Sequence, residues 1–485
     1  MAGSLASTPG FNLQPSAERV ATSTNYLTDF NFLNQYLPDV YEAEFERYGN
    51  RTISSFLRMV GAEMPTNSDL IKWSEQGRLH IKYDEVQTES NPGTKTSAIT
   101  FKINDSLTAL GFQNGQIALR EGQTVMISDN TPGSTLSNKG VIVAEPSYAS
   151  SPPTISVALY EADQVVPKDT NLSLFVYGSE FKKGTSGMNN SLEADGLIFD
   201  NKPIIIKDRY SVSGSDMAQI GWIEISTEDG GTGYLWYLKS EHETRLRFED
   251  YLETALVEAV PAADGSGAEN SLGFTSATKV TAGTEGVFHA VENRGNVWSG
   301  GNPTTLSDFD AVIQRLDKQG AIEENVLFLN RQFSFDIDDM LAAQNSYGAG
   351  GTSYGLFDND EEMALNLGFS GFRRGYDFYK TDWKYLNDPT LRGGLVGGAI
   401  NGLLVPAGST TVYDQVLGKN ATRPFLHVRY RASETENRRY KTFIVGSAGM
   451  VDGRVGTSLD AMEVHFLSER AVCVMGANNF FIFKG

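Results

Sequence analysis

Gly351-Thr352-Ser353-Tyr354-Gly355 matches G-x-S-x-G, the pattern of a nucleophile elbow. An elbow needs a strand just before the serine and a helix just after it. Residues 345–350 (NSYGAG) read as a loop instead, and no doubly wound parallel sheet is patterned around them. With 49 glycines in 485 residues, chance matches are expected. Ser353 therefore reads as part of a glycine-rich loop, and a serine hydrolase using Ser353 stands as a rival of another class.

Two carboxylate clusters come next: Asp336, Asp338 and Asp339, then Asp358, Asp360, Glu361 and Glu362. Carboxylates two residues apart can ligate calcium or magnesium, or share acid–base work. Neither cluster has the glycine of a calcium-binding loop, and both fall at expected helix starts, where acidic side chains meet the positive end of the helix dipole. His80, His242, His289, His427 and His465 are scattered without a zinc spacing. His427 and His465 alternate with apolar neighbours and read as satisfied sheet histidines. Cys473 lies in an apolar strand context, where a thiol acts as a small apolar group. No phosphate-binding P-loop and no strand-to-helix G-x-G-x-x-G occurs. No catalytic, cofactor-binding or metal-binding residue is assigned.

Basic residues gather weakly at Arg373-Arg374, at Arg423, Arg429 and Arg431, and at Arg438, Arg439 and Lys441. They read as a solvated face, as intersubunit salt bridges, or as contacts to an acidic neighbour such as an identical subunit. The wider balance points the same way. Forty Lys and Arg against sixty Asp and Glu leave a net charge of −20. A free-standing nucleic-acid binder carries the opposite sign. One cysteine excludes an intrachain disulfide framework and any multi-cysteine metal site. The longest near-apolar run, 395–405, is too short to span a bilayer. With no basic residue before Arg19 and no apolar block, a secretory signal is not expected. Length at ~150 residues per domain gives roughly three folding units, made in a reducing cytosol.

Residues 1–25 read as a loose arm, and 30–60 as two helical pieces. Short strand candidates follow at 98–103, 116–120, 123–128, 141–145, 154–160 and 171–178. Turn residues at 114–115, 132–133, 138–140 and 152–153 separate them. This spacing indicates a small β-barrel or sandwich from about 96 to 182. Segments 202–212 and 220–226 read as long strands that, with 75–86, form an extended ribbon carrying that module. Ser240 to Glu243 has the form of a capping box opening a rod helix with Phe248, Leu252, Ala255 and Ala259 as its stripe. Glu241 with Arg245, and Glu243 with Arg247, are favourable i,i+4 pairs, and Pro261 ends the helix. A hairpin is expected around 287–297, then helix 306–319, strand 326–330 and a helix 335–344 capped by Ser334. Segments 424–431, 440–447, 462–467, 471–475 and 480–483 read as strands returning to the same α+β sheet.

Arm, ribbon with module, rod helix and α+β body, in that order, resemble the major capsid protein of tailed bacteriophages, the Hong Kong 97-like fold. The likeness covers nearly the whole chain. Residues 240–260 look like the spine helix. Residues 306–312, then Asn325-Val326-Leu327-Phe328-Leu329-Asn330, look like the helix and strand of the family's central body. Residues 401–406 fit a late axial-domain strand, and 466–472 with 476–481 fit the closing strands. The flavour is similar to capsid proteins of crAss-like phages. The module at 96–182 exceeds a plain hairpin loop and reads as an inserted domain. No charged helical scaffold segment precedes residue 30, so a separate scaffolding protein is expected, and no crosslinking pair is identified.

The resemblance implies an α+β chain divided into an arm with helices (1–74), an extended loop (75–235) containing the inserted module (96–182), spine helix and peripheral domain (236–335), axial domain (336–422) and C-terminal strands (423–485). It implies a non-enzymatic shell subunit without cofactor. Hexamers and pentamers would enclose double-stranded DNA in an icosahedral virion assembled in the bacterial cytoplasm. Portal, auxiliary and scaffolding proteins would be its partners. Contact with DNA would be weak and non-specific, and there would be no membrane. Glycines 184 and 187, 230, 231 and 233, and 348, 350 and 351 would be hinges between pentameric and hexameric surroundings. A cargo-holding, encapsulin-like nanocompartment shell is the nearer alternative.

Overall fold

Strand sequences that alternate large apolar residues to both faces need cover on both sides. Residues 324–329 (ENVLFL) and 400–406 (INGLLVP) are of this kind, and they sit at the centre of a six-stranded sheet. The computed structural model describes Phe56 and residues 62–89, 97–104, 117–149, 152–161, 166, 171–190, 192, 196–219, 225–226, 232–233, 235–271, 282–320, 322–345, 371–414, 419–447 and 459–485. The six-stranded sheet runs Asn296–Trp298, Phe481–Lys484, Ile400–Pro406, Glu324–Leu329, Tyr376–Asp382, Gly371–Arg374, with its first and fourth pairings parallel. Leu327, Leu329, Leu404, Phe481 and Phe483 face helices Leu306–Gln319 and Arg331–Asn345. Phe328, Leu403, Val405 and Ile482 face the opposite core, with Leu256 and Val257 of the long helix Leu235–Glu258 and Val287, Phe288 and Val291 of helix Val287–Arg294. Each such side chain, fully buried, contributes roughly 1.5–3 kcal/mol.

A second, five-stranded sheet is centred on the 14-residue strand Ala461–Val474. Ile204–Ser213 pairs along one edge of that strand. Lys441–Val445 and Leu426–Arg431 share its other edge, and Ala62–Thr66 adds in parallel beyond Leu426–Arg431. The long helix covers one face through Phe248 and Leu252, packed on Met462, Val464 and Phe466. Of the expected C-terminal strands, only Phe481–Lys484 joins the six-stranded sheet, and 462–467 and 471–475 are one continuous strand.

The ribbon consists of Ile71–Gln76 antiparallel to Gly196–Asn201. Ile204–Ser213, expected in the ribbon, belongs to the five-stranded sheet. At the far end of the ribbon stands a closed barrel of six strands, in the order Lys82–Thr88, Ile99–Ile103, Thr154–Leu159, Ser137–Ser147, Gln123–Asp129, Leu172–Ser179. Its core holds Val86, Phe101, Leu119, Val125, Ile127, Val157 and Leu174. The turn at Pro132-Gly133 appears as expected, with Gly133 at φ 88°. The expected turn at 138–140 lies inside a strand instead. Residues 117–120 are not a strand, although Ile117 and Leu119 are buried in the barrel.

Local capping explains other differences. The long helix begins at Leu235, five residues before Ser240, so the S-x-x-E motif lies inside it. Arg245 pairs with Glu249 at 3.8 Å, and Arg247 leaves the helix to meet Asp208 at 3.0 Å. A complete capping box forms at Thr305 and Asp308. Helix Arg331–Asn345 starts four residues earlier than expected, because Asn330 Oδ1 accepts from the Phe333 amide at 2.8 Å. Residues 287–294 form a helix rather than half of a hairpin. Gly286 permits this: a Cβ there would stand 2.7 Å from the Ala259 backbone at the end of the long helix.

Candidate functional site

Ser353, Asp358, Asp360, Glu361 and Glu362 lie outside the described residues, as do glycines 230, 231, 348, 350 and 351. The structure places the other chemistry-bearing residues apart. Asp336, Asp338 and Asp339 are mid-helix rather than at a helix start. Asp336 accepts from Asn302 at 2.6 Å and from Gln332 at 2.9 Å. Asp338 pairs with the nearly buried Lys380 at 2.5 Å. His427 is buried, its Nδ1 3.2 Å from the Pro424 carbonyl. His465 stacks on Phe443 with ring centroids 5.0 Å apart, and its Nε2 lies 3.0 Å from Glu463. Cys473 is buried against Ile71 and Ala471. Among the described residues no group of three His, Cys, Asp or Glu side chains could hold a metal ion, and no helix is long and apolar enough to cross a membrane.

The basic clusters pair with carboxylates of their own chain, several of them at the surface. Arg374 meets Asp310 at 2.5 and 2.8 Å, and Arg373 meets Asp377 at 3.2 Å. Arg431 meets Asp69 at 2.6 Å, Arg438 meets Glu469 at 2.8 Å, and Lys441 meets Glu436 at 2.9 Å. Arg439 and Arg470 both bind Glu63 on the strand Ala62–Thr66. Burial pulls the Arg470 guanidinium down, and the Glu63 charge opposes that pull. Arg429 donates to the Pro65 carbonyl at 3.3 Å. Four arginines thus hold the segment that leads in from the N-terminal side. The side chain of Arg423 lies outside the described residues.

What the fold builds with most care is the ribbon root. Asn201, 5% exposed, donates from Nδ2 to the Val472 carbonyl at 2.6 Å and the Glu285 carbonyl at 2.9 Å. Its Oδ1 accepts from the Lys202 amide, the Glu285 amide and the Thr284 hydroxyl, each at 2.8 Å. Beside it, the Arg294 guanidinium lies 4.4 Å from the Phe199 ring centroid and 5.7 Å from that of Trp73. Arg294 also pairs with Glu285 at 2.6 Å. Glu75 Oε1 accepts from the Trp73 indole at 3.0 Å and the Gly476 amide at 2.9 Å. Beyond this root the apolar residues lose cover: Leu197 is 48% and Ile198 69% exposed.

A second clamp joins the end of the long helix to the segment before Ile400–Pro406. Glu258 binds Arg392 through both carboxylate oxygens and accepts from Tyr385 at 2.5 Å. Burial, and then this hydrogen bond, push the Tyr385 phenol far up, and the same carboxylate raises Arg392. Arg392 also holds the Gly398 carbonyl at 2.9 Å, so the loop between them presents Val396 almost wholly to solvent. Asn201, Arg294 and Glu258 escaped sequence reasoning. Asn201 carried only a turn signal, before Lys202-Pro203, and the others bind residues far away in sequence. Geometrically, these groups position and support; none presents a nucleophile beside a base.

No protein-family model and no curated protein matches the sequence. Solved structures do. A chain described as Microbacterium phage Oxtober96 is 8% identical, with a TM-score of 0.38, over 93% of this chain and 96% of its own length. A chain of the capsid structure of the cyanophage P-SCSP1u is 6% identical, with a TM-score of 0.33, over 64% of this chain and 80% of its own. One from the asymmetric unit of the bacteriophage PhiM1 mature capsid is 10% identical, with a TM-score of 0.33, over 64% and 78%. Scores below 0.5 mark a likeness too loose to carry function.

Proposed function

We propose that this chain is a structural subunit of a phage capsid and catalyses nothing. The observation that carries the reading is the ribbon. Its root is locked by a fully satisfied buried amide and a stacked guanidinium, while its outer residues Leu197 and Ile198 stand in water, away from the chain's own cores. A rigid projection with uncovered apolar residues is built to lie on something. Identical neighbours, related by closed symmetry, are the economical cover. Each such residue, once covered, supplies roughly 1.5–3 kcal/mol. Many modest contacts per copy make a strong wall.

The order of parts supports the finer reading: a Hong Kong 97-like subunit, akin to those of crAss-like phages, tiling as hexamers and pentamers around double-stranded DNA. It assembles in the bacterial cytoplasm with scaffolding, portal and auxiliary proteins, and resides in the virion. A net charge of −20 keeps average affinity for DNA low, which suits a container that must release its contents.

Electron microscopy of the expressed full chain, with and without its neighbouring gene products, tests this. The expected result is closed shells or capsomers, weakened by Ile198→Asp. A persistent monomer whose ribbon amides are as protected from exchange as its core amides overturns it. Small spheres that assemble alone and recruit an enzyme point to the nanocompartment. A hydrolytic activity lost in Ser353→Ala points to the hydrolase.

A further inference from the structure

Strand Ile204–Ser213 stands at an edge of the five-stranded sheet. Ala461–Val474 pairs with it on one side, and among the described residues no strand pairs with it on the other. It is ten residues long and in unbroken register, with no proline inside it. The other edge strands of the two larger sheets, Ala62–Thr66, Lys441–Val445, Gly371–Arg374 and Asn296–Trp298, have five residues or fewer. Short length, proline and bulges are common protections of an edge, and this strand is left with charge alone. The direction of its main chain follows from the ladder. Gly214 donates to the Asp460 carbonyl at 3.1 Å, one residue beyond the pairing of Ser213 with Ala461. Even-numbered residues therefore bond to Ala461–Val474, and odd-numbered ones turn N–H and C=O outward. In agreement, the Arg209 amide is taken by Asp208 Oδ1 at 2.8 Å. The outward groups of Ile205, Lys207 and Ser211 have no backbone partner among the described residues. The same odd residues carry their side chains on the face away from the long helix. Ile205 is 51% exposed, Lys207 is exposed and makes no ion pair among the described residues, and Arg209 is 66% exposed with one pair to Glu463 at 3.4 Å.

We propose that this edge accepts, as an added strand, an extended acidic segment of another protein. Main-chain bonds to Ile205, Lys207 and Ser211 hold the segment, an apolar side chain lies beside Ile205, and carboxylates lie beside Lys207 and Arg209. The two cations are two residues apart, about 7 Å at ~3.4 Å each, which is also the spacing of alternate side chains on the incoming strand. Two copies of this edge side by side would bring lysine and arginine against their own kind, and like charges across a strand pair are destabilising. The edge thus rejects its own copy and selects acidic residues at alternate positions. A polypeptide also offers a donor and an acceptor at every residue for the outward carbonyls and amides, which a phosphodiester backbone does not. The inference does not depend on shell formation.

The test titrates the full chain with a blocked heptapeptide in which threonine alternates with one valine and then two aspartates. Comparisons are a scrambled peptide with the aspartates adjacent, a version with lysine for aspartate, and oligothymidylate. Expected is binding of the alternating peptide that weakens with salt, with at least a tenfold loss in Lys207→Glu. Ile205→Pro removes an outward amide and spares the ladder, and should lose as much. Hydrogen exchange read residue by residue should show the amides of Ile205, Lys207 and Ser211 gaining protection with peptide, while those of Ile206 and Asp208 are protected already. Unchanged circular dichroism shows that the variants keep the sheet, and the lysine variant stands as the readout should the proline variant lose it. The proposal is overturned by absence of binding, by equal binding of the scrambled peptide, by unchanged affinity in the folded variants, or by tighter binding of oligothymidylate. It is also overturned if Lys207→Glu abolishes association between copies, which would make the edge a subunit contact.

Discussion

Asn201→Asp tests the ribbon root, because it keeps the size of the side chain while replacing its donating end with an oxygen and bringing a carboxyl group into a buried site. The Oδ1 end still accepts from Lys202, Thr284 and Glu285. The other end loses both donors and turns an oxygen toward the carbonyls of Val472 and Glu285, now 2.6 and 2.9 Å away. Two buried carbonyls that lose this donor cost about 1–3 kcal/mol each, and the buried carboxyl facing them adds to that, so the variant should lose at least about 2 kcal/mol. Two readouts separate local from global effects. Denaturant titration gives the stability change, and hydrogen exchange reports protection of the ribbon amides at 71–76 and 196–201. The ribbon amides should lose protection first, since the substituted side chain ties Gly196–Asn201 to Ala461–Val474, while the barrel core exchanges as before. A variant within about 0.5 kcal/mol of the parent, with ribbon protection intact, would refute the idea that this amide holds the projection in place.

Phe56→Ala should cost about 3–5 kcal/mol, the range for deleting a fully buried aromatic ring. Phe56 lies 4.6 Å from the ring centroids of both Phe328 and Trp383, and its amide bonds to Glu253 at 3.0 Å. Denaturant midpoints measure the loss, and a change under 1 kcal/mol would argue that the segment is not anchored there. Asp310 gives a pH prediction. The hydrogen bond from Arg374, and then its charge, hold the Asp310 carboxyl below its ordinary 3.8. A depressed carboxylate stabilises the fold above its unfolded pKa and loses that contribution as pH falls through the folded one. Thermal scans of the parent and Asp310→Asn should therefore differ at neutral pH and converge below pH 3.8; a gap that persists at about pH 2 would contradict the assignment.

Turn chemistry and period-two alternation were enough to find most barrel strands, because each small stave is specified by its own pattern. Val125 and Ile127 on one strand, and Ile155 and Val157 on another, alternate inward. Helix 306–319 was legible for a similar reason: Thr305, Asp308 and Gly320 write its two ends locally. Sheet membership was not legible. Ile204–Ser213 and Ala461–Val474 pair across about 260 residues, and nothing in either segment names its partner. The Ser240 motif misled because Leu235, Leu238 and Lys239 are good helix formers and no Gly or Pro separates them from Ser240, so the helix runs through the motif. The groups that matter most for a projecting architecture were not legible, since Asn201, Arg294 and Glu258 act only through distant backbone and side chains.

The pairing of the basic clusters within their own chain decides how salt acts on association. Arg373, Arg374, Arg431, Arg438 and Lys441 all meet carboxylates of their own chain, so the intersubunit ion pairs that such clusters suggest have few cations left to make them. Copies each carrying −20 repel one another, and that repulsion is screened beyond about 10 Å at 0.1 M salt and about 3 Å at 1 M. The apolar contacts offered by Leu197, Ile198 and Val396 are not weakened by salt. Association between copies should therefore strengthen as ionic strength rises, by light scattering or sedimentation velocity across about 20 mM to 1 M sodium chloride. If complexes dissociate as salt increases, ion pairs hold the copies together, and the internal pairing seen here must open when copies meet.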